Sequence, residues 1–374
     1  MANVFDYLDW RDISLNNVEF NEIDGLIMSC ISYFPFDNLI NEKEEKTLNE
    51  IYKKYMKIHK ELIMRKKEDI EFYPILSKSK RFGNIKFTNF INKLDKTEEK
   101  QFAAVTSILP DNTIFISYRG TDNTIIALKE DMNMCFSEVI PAQIDAVKYL
   151  EDVALKYPSM KIRLGGHSKG GNLAVYAAAF CSDEIKNRII NIYNMDGPGF
   201  CDRVIESKNY KDILNKIHTY IPQSSIIGRL LNHKEKTTIV KSTQNFILQH
   251  NTFTWELLGD KFINAEITNS SEFIDTTLTN WLKSVDVKQR EKFIDILFEI
   301  VNATGANTVQ DIEHNKLETA KIILKTYKNI DDESKEILTK TLNVLFSVAK
   351  SNVKVPKINI KKSVANYKKG KFNA

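Results

Sequence analysis

The chain has 374 residues, and its formal net charge at pH 7 is +4. Apolar residues make up 43% of it and charged residues 27%, which is ordinary for a soluble globular protein with a full core. No uncharged apolar run reaches about 18 residues, so we expect no transmembrane helix. The opening lacks the basic and apolar regions of a signal peptide, and the four cysteines lack the spacing of a disulfide framework or zinc site. We therefore expect a cytoplasmic protein that holds no metal or other cofactor.

The positive charge is concentrated at the carboxyl end of the sequence. From residue 350 onward there are eight lysines and no acidic residue, whereas the rest of the chain is mildly acidic. A basic tail of this kind attracts anionic lipid surfaces, but it is also typical of a solvated terminus. Because the sequence has no recognised nucleic-acid module, we expect no nucleic-acid binding.

The first hundred residues are predicted to be mainly helical. Apolar side chains recur at helical spacing in residues 21–34, and residues 45–70 form a long amphipathic, lysine-rich stretch. Residues 1–98 are therefore assigned to a helical segment that packs on the rest of the protein.

The pattern then changes to strands that alternate with helices. Residues 101–122 contain two strand-like runs around a proline-containing turn, which predicts a hairpin. Residues 141–157 predict a helix for which Ser137 is available as the cap, and residues 161–164 predict a short strand.

Three further apolar runs are typical of buried strands: residues 189–195, 217–222 and 237–242. Their alternation with helical segments predicts an α/β fold with a mostly parallel sheet, which we assign to residues 99–262. Residues 263–349 return to a helical pattern, and residues 350–374 form the basic tail.

The segment GGHSKGG (165–171) follows a predicted strand and precedes a predicted helix. Gly166 and Gly170 flank Ser168 in the pattern G-x-S-x-G, in which a strained turn presents the serine hydroxyl at the edge of a sheet. Glycine at these positions lets the strand and the helix approach closely, and the start of the helix directs N–H groups at the serine. We therefore predict that Ser168 is a nucleophile rather than an inert turn residue.

A nucleophilic serine needs a base and a group that orients the base. Among six histidines, position favours His250, which follows the last predicted strand, and leaves His233 as the alternative. Asp196 ends an apolar strand and lies between Ser168 and His250, so we predict that it is the orienting acid. Its alternative interpretation is a residue of an Asp-Gly turn.

An oxyanion site needs two hydrogen-bond donors near the nucleophile. The backbone N–H of Lys169 is the first candidate, because this residue directly follows the serine. Thr121 is the second, because it follows an earlier predicted strand and carries both an N–H and a hydroxyl.

The segments GGHSKGG, ISYRGTD (116–122) and QHNTFTW (249–255) together make the sequence resemble an α/β-hydrolase of the lipase class 3 type. More closely, NVFDYLDW (3–10), with KRF and QFAAVT further on, is similar to the bacterial Mbeg-like family. This similarity extends from residue 1 into the C-terminal helical segment.

The resemblance implies that Ser168 is the nucleophile, Thr121 the oxyanion residue and His250 the histidine. Class 3 lipases carry their aspartate in a D-x-V-P setting after a strand that follows the serine motif. The corresponding stretch here, residues 223–228, follows the predicted strand 217–222 and has no carboxylate. We expect Asp196 to substitute for it; otherwise Ser225 orients the imidazole.

These inferences predict a serine hydrolase that cleaves carboxylic esters, with a small-molecule or lipid ester as substrate, through an acyl-enzyme. The alternative is a catalytically relict α/β-hydrolase fold that acts as a binding or scaffold protein. In either case the basic tail is a candidate contact with an anionic membrane surface.

Overall fold

The computed structural model describes residues 2–41, 43–59, 66–122 and 124–352. Most of the basic tail assigned to residues 350–374 therefore lies outside the described residues. Of the helices that are described, none is both long and apolar enough to cross a bilayer.

Eight strands form one sheet in which neighbours in space are also neighbours in the sequence. The strands are β1 (Lys46–Thr47), β2 (Lys86–Asp95), β3 (Lys100–Ile108), β4 (Thr113–Tyr118), β5 (Lys161–His167), β6 (Ile189–Met195), β7 (Ile217–Pro222) and β8 (Thr237–Val240). The first four pair antiparallel, and β4 to β8 pair parallel. A small hairpin of β9 (Leu257–Leu258) and β10 (Lys261–Phe262) follows. The predicted strand-turn-strand at 101–122 and the mostly parallel sheet are confirmed.

The sheet begins earlier in the chain than we predicted. We assigned residues 1–98 to a helical segment that packs on the rest of the protein. This is wrong for β1 and β2, because β1 pairs with β2 and β2 pairs with β3. The pairing of β2 shifts register between Thr88 and Ile91, so its side chains do not keep the two-residue alternation that marks a strand. Three consecutive residues near its end, Asn92, Lys93 and Leu94, are exposed, so burial does not alternate there either.

Helices cover both faces of the sheet. Before the last strand the helices are α1 (Val4–Trp10), α2 (Glu22–Cys30), α3 (Leu48–Ile58), α4 (Lys67–Lys78), α5 (Ile125–Asn133), α6 (Pro141–Lys156), α7 (Lys169–Phe180), α8 (Asp183–Arg188), α9 (Asp202–Ile205) and α10 (Lys208–Lys211). Side chains alternate across β4: Ile114 and Ile116 join the core under α6 and α7, and Phe115 joins the core under the N-terminal helices. Helices on both faces of a mostly parallel sheet make this an α/β-hydrolase-like fold, as predicted.

The start of α6 differs from the prediction. The helix begins at Pro141, and the residue before it, Ile140, donates its backbone N–H to the side chain of Gln143. Ser137 instead belongs to the turn after α5, where its N–H donates to the carbonyl of Asn133. The prediction of Ser137 as the cap is therefore wrong, because proline at the first helical position sets where the helix starts.

The C-terminal helices form a cluster of their own that packs on α5. They are α11 (Asn269–Ser284), α12 (Val287–Asn302), α13 (Val309–His314), α14 (Lys316–Asn329) and α15 (Asp332–Asn352). Ile125 of α5 is buried in their apolar core, and its N–H donates to the carbonyl of Asn307 at 2.9 Å. Lys129 of α5 pairs with Asp295 at 3.0 Å. The C-terminal helices therefore hold α5 in place.

A buried ion pair joins α2 to the segment between α4 and β2. Arg81 contacts Asp24 of α2 through two hydrogen bonds, at 2.7 and 2.5 Å, and both side chains are fully buried. The hydroxyl of Tyr7 donates to the same carboxylate at 2.8 Å. Arg81 also donates to the backbone carbonyls of Ile13 and Glu19 at 2.8 and 2.9 Å. Arg81 and Asp24 together thus connect α1, α2 and the segment between these two helices.

We expect Arg81→Leu to lower the free energy of unfolding by about 3–5 kcal/mol, because it leaves the Asp24 carboxylate buried without its cation. Urea unfolding followed by circular dichroism measures this change. The matched control is Arg203→Leu, which removes an exposed pair with Glu138 and is expected to cost less than about 1 kcal/mol. Equal losses in the two variants would contradict the structural role of the buried pair.

Candidate active site

Ser168 occupies a strained turn between β5 and α7. Its backbone has φ +60° and ψ −135°, a conformation that L residues rarely adopt. A Cβ at Gly166 would overlap the backbone of Gly170, and a Cβ at Gly170 would overlap the carbonyl of Tyr118. The two glycines of the motif are therefore required by close backbone approach, and the side chain of Ser168 lies at the carboxyl end of β5.

Asp196 follows β6 and contacts His250. The two are 54 positions apart in the chain, and His250 Nδ1 lies 2.7 Å from Asp196 Oδ2. The other carboxylate oxygen, Oδ1, accepts hydrogen bonds from Ser225 Oγ at 2.7 Å and from the N–H of Gly228 at 3.2 Å. Asp196 is fully buried, and its ionised carboxylate can only accept, so Nδ1 of His250 carries the hydrogen. The second ring nitrogen, Nε2, is then the one that can accept a proton.

His250 lies beside the serine turn. His167, the residue before Ser168, has its ring centroid 4.3 Å from that of His250. Nε2 of His167 is also 2.8 Å from the backbone carbonyl oxygen of His250. The loop that follows β8 is therefore joined directly to the residue that precedes Ser168.

The alternative base, His233, has both ring nitrogens engaged elsewhere. Nδ1 lies 2.9 Å from Glu235 Oε1, and Nε2 lies 2.8 Å from the carbonyl oxygen of Gly228. Burial alone would raise the pKa of Glu235, but hydrogen bonds from His233, Thr219 and Tyr210 lower it to about 2. His233 thus contacts the carbonyl of Gly228, whose N–H donates to Asp196.

The chain after β4 passes directly over the serine. A Cβ on Gly120 would lie 3.1 Å from Cβ of Ser168 and would overlap the carbonyl oxygen of His167. Thr121 is the next residue, but its hydroxyl donates to Asp131 Oδ2 on α5. We predicted both its N–H and its hydroxyl as oxyanion donors; the hydroxyl hydrogen is already donated to Asp131, so the N–H is the remaining candidate.

The side chain of Lys169 serves a different purpose from its N–H. Nζ is fully buried, 2.6 Å from Glu130 Oε2 and 3.0 Å from the carbonyl oxygen of Gln101. It joins α7 to α5 and β3. Sequence reasoning missed Glu130 and Asp131, because nothing in the spacing of two acidic residues on a helix shows that they face the serine turn.

Asp131 is an acid that the structure makes difficult to ionise. Burial raises the pKa of Asp131 to about 6, and the nearby Glu130 contributes in the same direction. The positive charge of Lys169 and the hydrogen bond from Thr121 oppose this effect. The effect of burial is the larger one, so Asp131 loses its proton at a higher pH than an ordinary aspartate does.

This pKa predicts how stability depends on pH. The unfolded chain loses the proton of Asp131 near pH 4 and the folded chain near pH 6, so the folded state binds more protons between these values. Asp131 by itself therefore lowers the free energy of unfolding by about 2 kcal/mol as pH rises from 4 to 6. Asp131→Asn removes this dependence, so the difference between wild type and variant in urea unfolding should change over that range. A difference that stays constant over that range would contradict the shifted pKa.

Residues 76–299 match the family model described as Mbeg1-like. The chain belongs to the Mbeg1-like family. Ser168, Asp196, His250 and Thr121 lie within the matched part of this Mbeg1-like chain. No curated protein matches the chain.

Several solved structures resemble this Mbeg1-like chain at low identity. The M37 lipase is 15% identical with a TM-score of 0.37, over 55% of this chain and 69% of that one. A mutant form of MDLA from Penicillium cyclopium is 11% identical with a TM-score of 0.39, over 70% of this chain and 91% of that one. The native Rhizomucor miehei lipase propeptide complex is 18% identical with a TM-score of 0.34, over 52% of this chain and 67% of that one.

Proposed function

We propose that the chain is a serine hydrolase that cleaves carboxylic esters. The observation that carries this proposal is the 2.7 Å contact between His250 and buried Asp196, beside the strained turn that holds Ser168. A serine, a histidine and an orienting carboxylate are the groups that acyl transfer requires.

In the proposed mechanism, Ser168 Oγ attacks the ester carbonyl carbon while its proton passes to Nε2 of His250. Asp196 holds the opposite nitrogen and stabilises the imidazolium that forms. The oxyanion accepts hydrogen bonds from the backbone N–H groups of Lys169 and Thr121. His250 then protonates the leaving alcohol, which departs and leaves an acyl-enzyme. Water, deprotonated by His250, attacks that ester and releases the acid and Ser168.

Lipid or other acyl esters are the proposed substrates. Ile247 and Leu248 precede His250 by three and two residues, and they are 54% and 62% exposed. Exposed apolar side chains beside a reacting group favour a substrate with an apolar acyl chain. Short- and long-chain p-nitrophenyl esters distinguish this class from small polar esters, because kcat/KM should rise with chain length.

A fluorophosphonate probe tests the proposed function directly. We expect the wild-type protein to become labelled, and peptide mapping to place the label on Ser168. Labelling that survives unchanged in Ser168→Ala, or no labelling together with no ester hydrolysis, would overturn the proposal.

The relict-fold alternative arose because the stretch after β7 has no carboxylate. Ser225 occupies that stretch and donates to Asp196, so the carboxylate of the neighbouring strand supports His250 instead. This contact favours the hydrolase over a scaffold protein.

We further propose a cytoplasmic location and a contact between the tail (350–374) and anionic membranes. Co-sedimentation with anionic vesicles that is unchanged by deleting the tail would overturn that contact.

A further inference from the structure

Tyr33 lies outside the part of the chain that the family model matches, yet it reaches the proposed site. It ends a short 3₁₀ turn, Ile31–Tyr33, that follows α2. Helix α2 packs closely on the sheet: Ser117 Oγ of β4 donates to the carbonyl of Met28 at 2.6 Å. A Cβ at Gly165 of β5 would overlap the hydroxyl of Ser29. The position of Tyr33 is therefore set by helix-to-sheet contact.

The hydroxyl of Tyr33 lies where the serine turn meets the chain after β4. It is 3.2 Å from Nδ1 of His167 and 3.4 Å from the carbonyl oxygen of the same residue. A Cβ on Gly120 would overlap it. One hydroxyl thus contacts both the residue before Ser168 and the residue before Thr121.

The hydrogen-bond partners of His167 decide which of its nitrogens carries the hydrogen. Its side chain is buried, and Nε2 faces the carbonyl oxygen of His250 at 2.8 Å. A carbonyl can only accept, so Nε2 carries the hydrogen and donates it. Nδ1 then accepts from the hydroxyl of Tyr33, which shares its one hydrogen with the more distant carbonyl oxygen of His167. The donors and acceptors run in one direction, from Tyr33 through the ring of His167 to the backbone of His250.

We propose that Tyr33 and His167 are a positioning pair that holds the backbone of His250 against the serine turn. The hydrogen bond to Asp196 holds the imidazole of His250 at Nδ1, and the ring of His167 packs beside it, with 4.3 Å between the ring centroids. The hydrogen bond from His167 fixes the backbone of the same residue, so together the two contacts direct Nε2 toward Ser168. This inference rests on the proposed hydrolase, and it makes the N-terminal helices part of the catalytic unit.

Four variants test the positioning pair. Tyr33→Phe removes only the hydroxyl, and His167→Leu removes both ring nitrogens. His167→Gln restores an N–H close to the place of Nε2. The control is Tyr149→Phe, which removes a buried hydroxyl that donates to the carbonyl of Asn89 at 2.7 Å, in a contact between α6 and β2.

We expect kcat for ester hydrolysis to fall about 10-fold in Tyr33→Phe and about 100-fold in His167→Leu, with KM unchanged, since small displacements of reacting groups cost this much. His167→Gln should recover most of the loss, and Tyr149→Phe should match wild type. Full activity in His167→Leu would overturn the pair. Equal losses in the Gln and Leu variants would overturn it as well, because simple packing would then explain both.

The NMR chemical shift of the His250 ring in ¹³C-labelled protein tests the positioning pair independently of ester hydrolysis. It should shift in His167→Leu and Tyr33→Phe and stay in place in Tyr149→Phe. If wild type neither hydrolyses esters nor takes the probe, the hydrolase is overturned, and the signal still decides the pair: a shift in Tyr33→Phe supports it, because that variant keeps the ring of His167 beside His250. A signal that does not move in that variant overturns the pair even in an active enzyme.

Discussion

Ser168→Ala and His250→Ala are each expected to lower kcat for ester hydrolysis by about 10⁶-fold, and the double variant is expected to lose no more. The reason is that the hydroxyl and the imidazole act in one proton transfer, so removing either one removes the whole step. Residual activity above the uncatalysed rate would come from substrate binding and the backbone donors of the oxyanion site.

Steady-state kinetics with a p-nitrophenyl ester measures these losses. His218→Gln is the matched control: His218 lies near the start of β7, where its ring contacts Asn191 at 2.9 Å, at the end of the sheet away from Ser168. It should keep the wild-type rate. Losses that add in the double variant would contradict a single nucleophile-base unit, and a fully active His250→Ala would exclude His250 as the base.

Asp196→Asn is expected to lower kcat by about 10⁴-fold while KM changes little. An amide at this position presents an N–H that His250 Nδ1 must accept. The hydrogen of the imidazole then moves to Nε2, and that nitrogen can no longer take the proton of Ser168. The loss therefore arises from the wrong tautomer rather than from a disturbed fold.

Unfolding midpoints and fluorophosphonate labelling rates distinguish the wrong tautomer of His250 from a disturbed fold as the cause of the loss. Asp196→Asn should label far more slowly than wild type, and its circular dichroism spectrum should be unchanged. The control is Asp202→Asn, since Asp202 is exposed and accepts a hydrogen bond only from Asn232 among its described side-chain contacts. If Asp196→Asn kept the wild-type kcat, Asp196 would be the turn residue of the alternative interpretation and not the orienting acid.

The strands of the parallel sheet were predictable because each is short, and β4 to β7 are largely buried on both faces. The predicted runs at 189–195 and 217–222 coincide with β6 and β7, and the run at 237–242 contains β8. Strand β2 was missed for the opposite reason. It is exposed at one end and interrupted by a register shift, so its local pattern does not distinguish it from a loop or a helix.

The same division applies to the candidate site. The turn at Ser168 was predictable because the strand, the glycines and the helix that create it are consecutive in the chain. The contact between Asp196 and His250 was one of two interpretations, because an Asp-Gly turn accounts for the same residues. The buried lysine at 169 and the acids on α5 carried no local signal at all.

The sequence by itself determined the elements whose cause is local: the strained serine turn, the buried parallel strands and the order of serine, acid and histidine along the chain. Only the tertiary structure decided which side chains meet. The partners His250 and Asp196 are 54 positions apart, and Tyr33 and His167 are 134 apart. Such contacts depend on how helices pack on the sheet and where loops return to its edge, and no spacing within one segment encodes them.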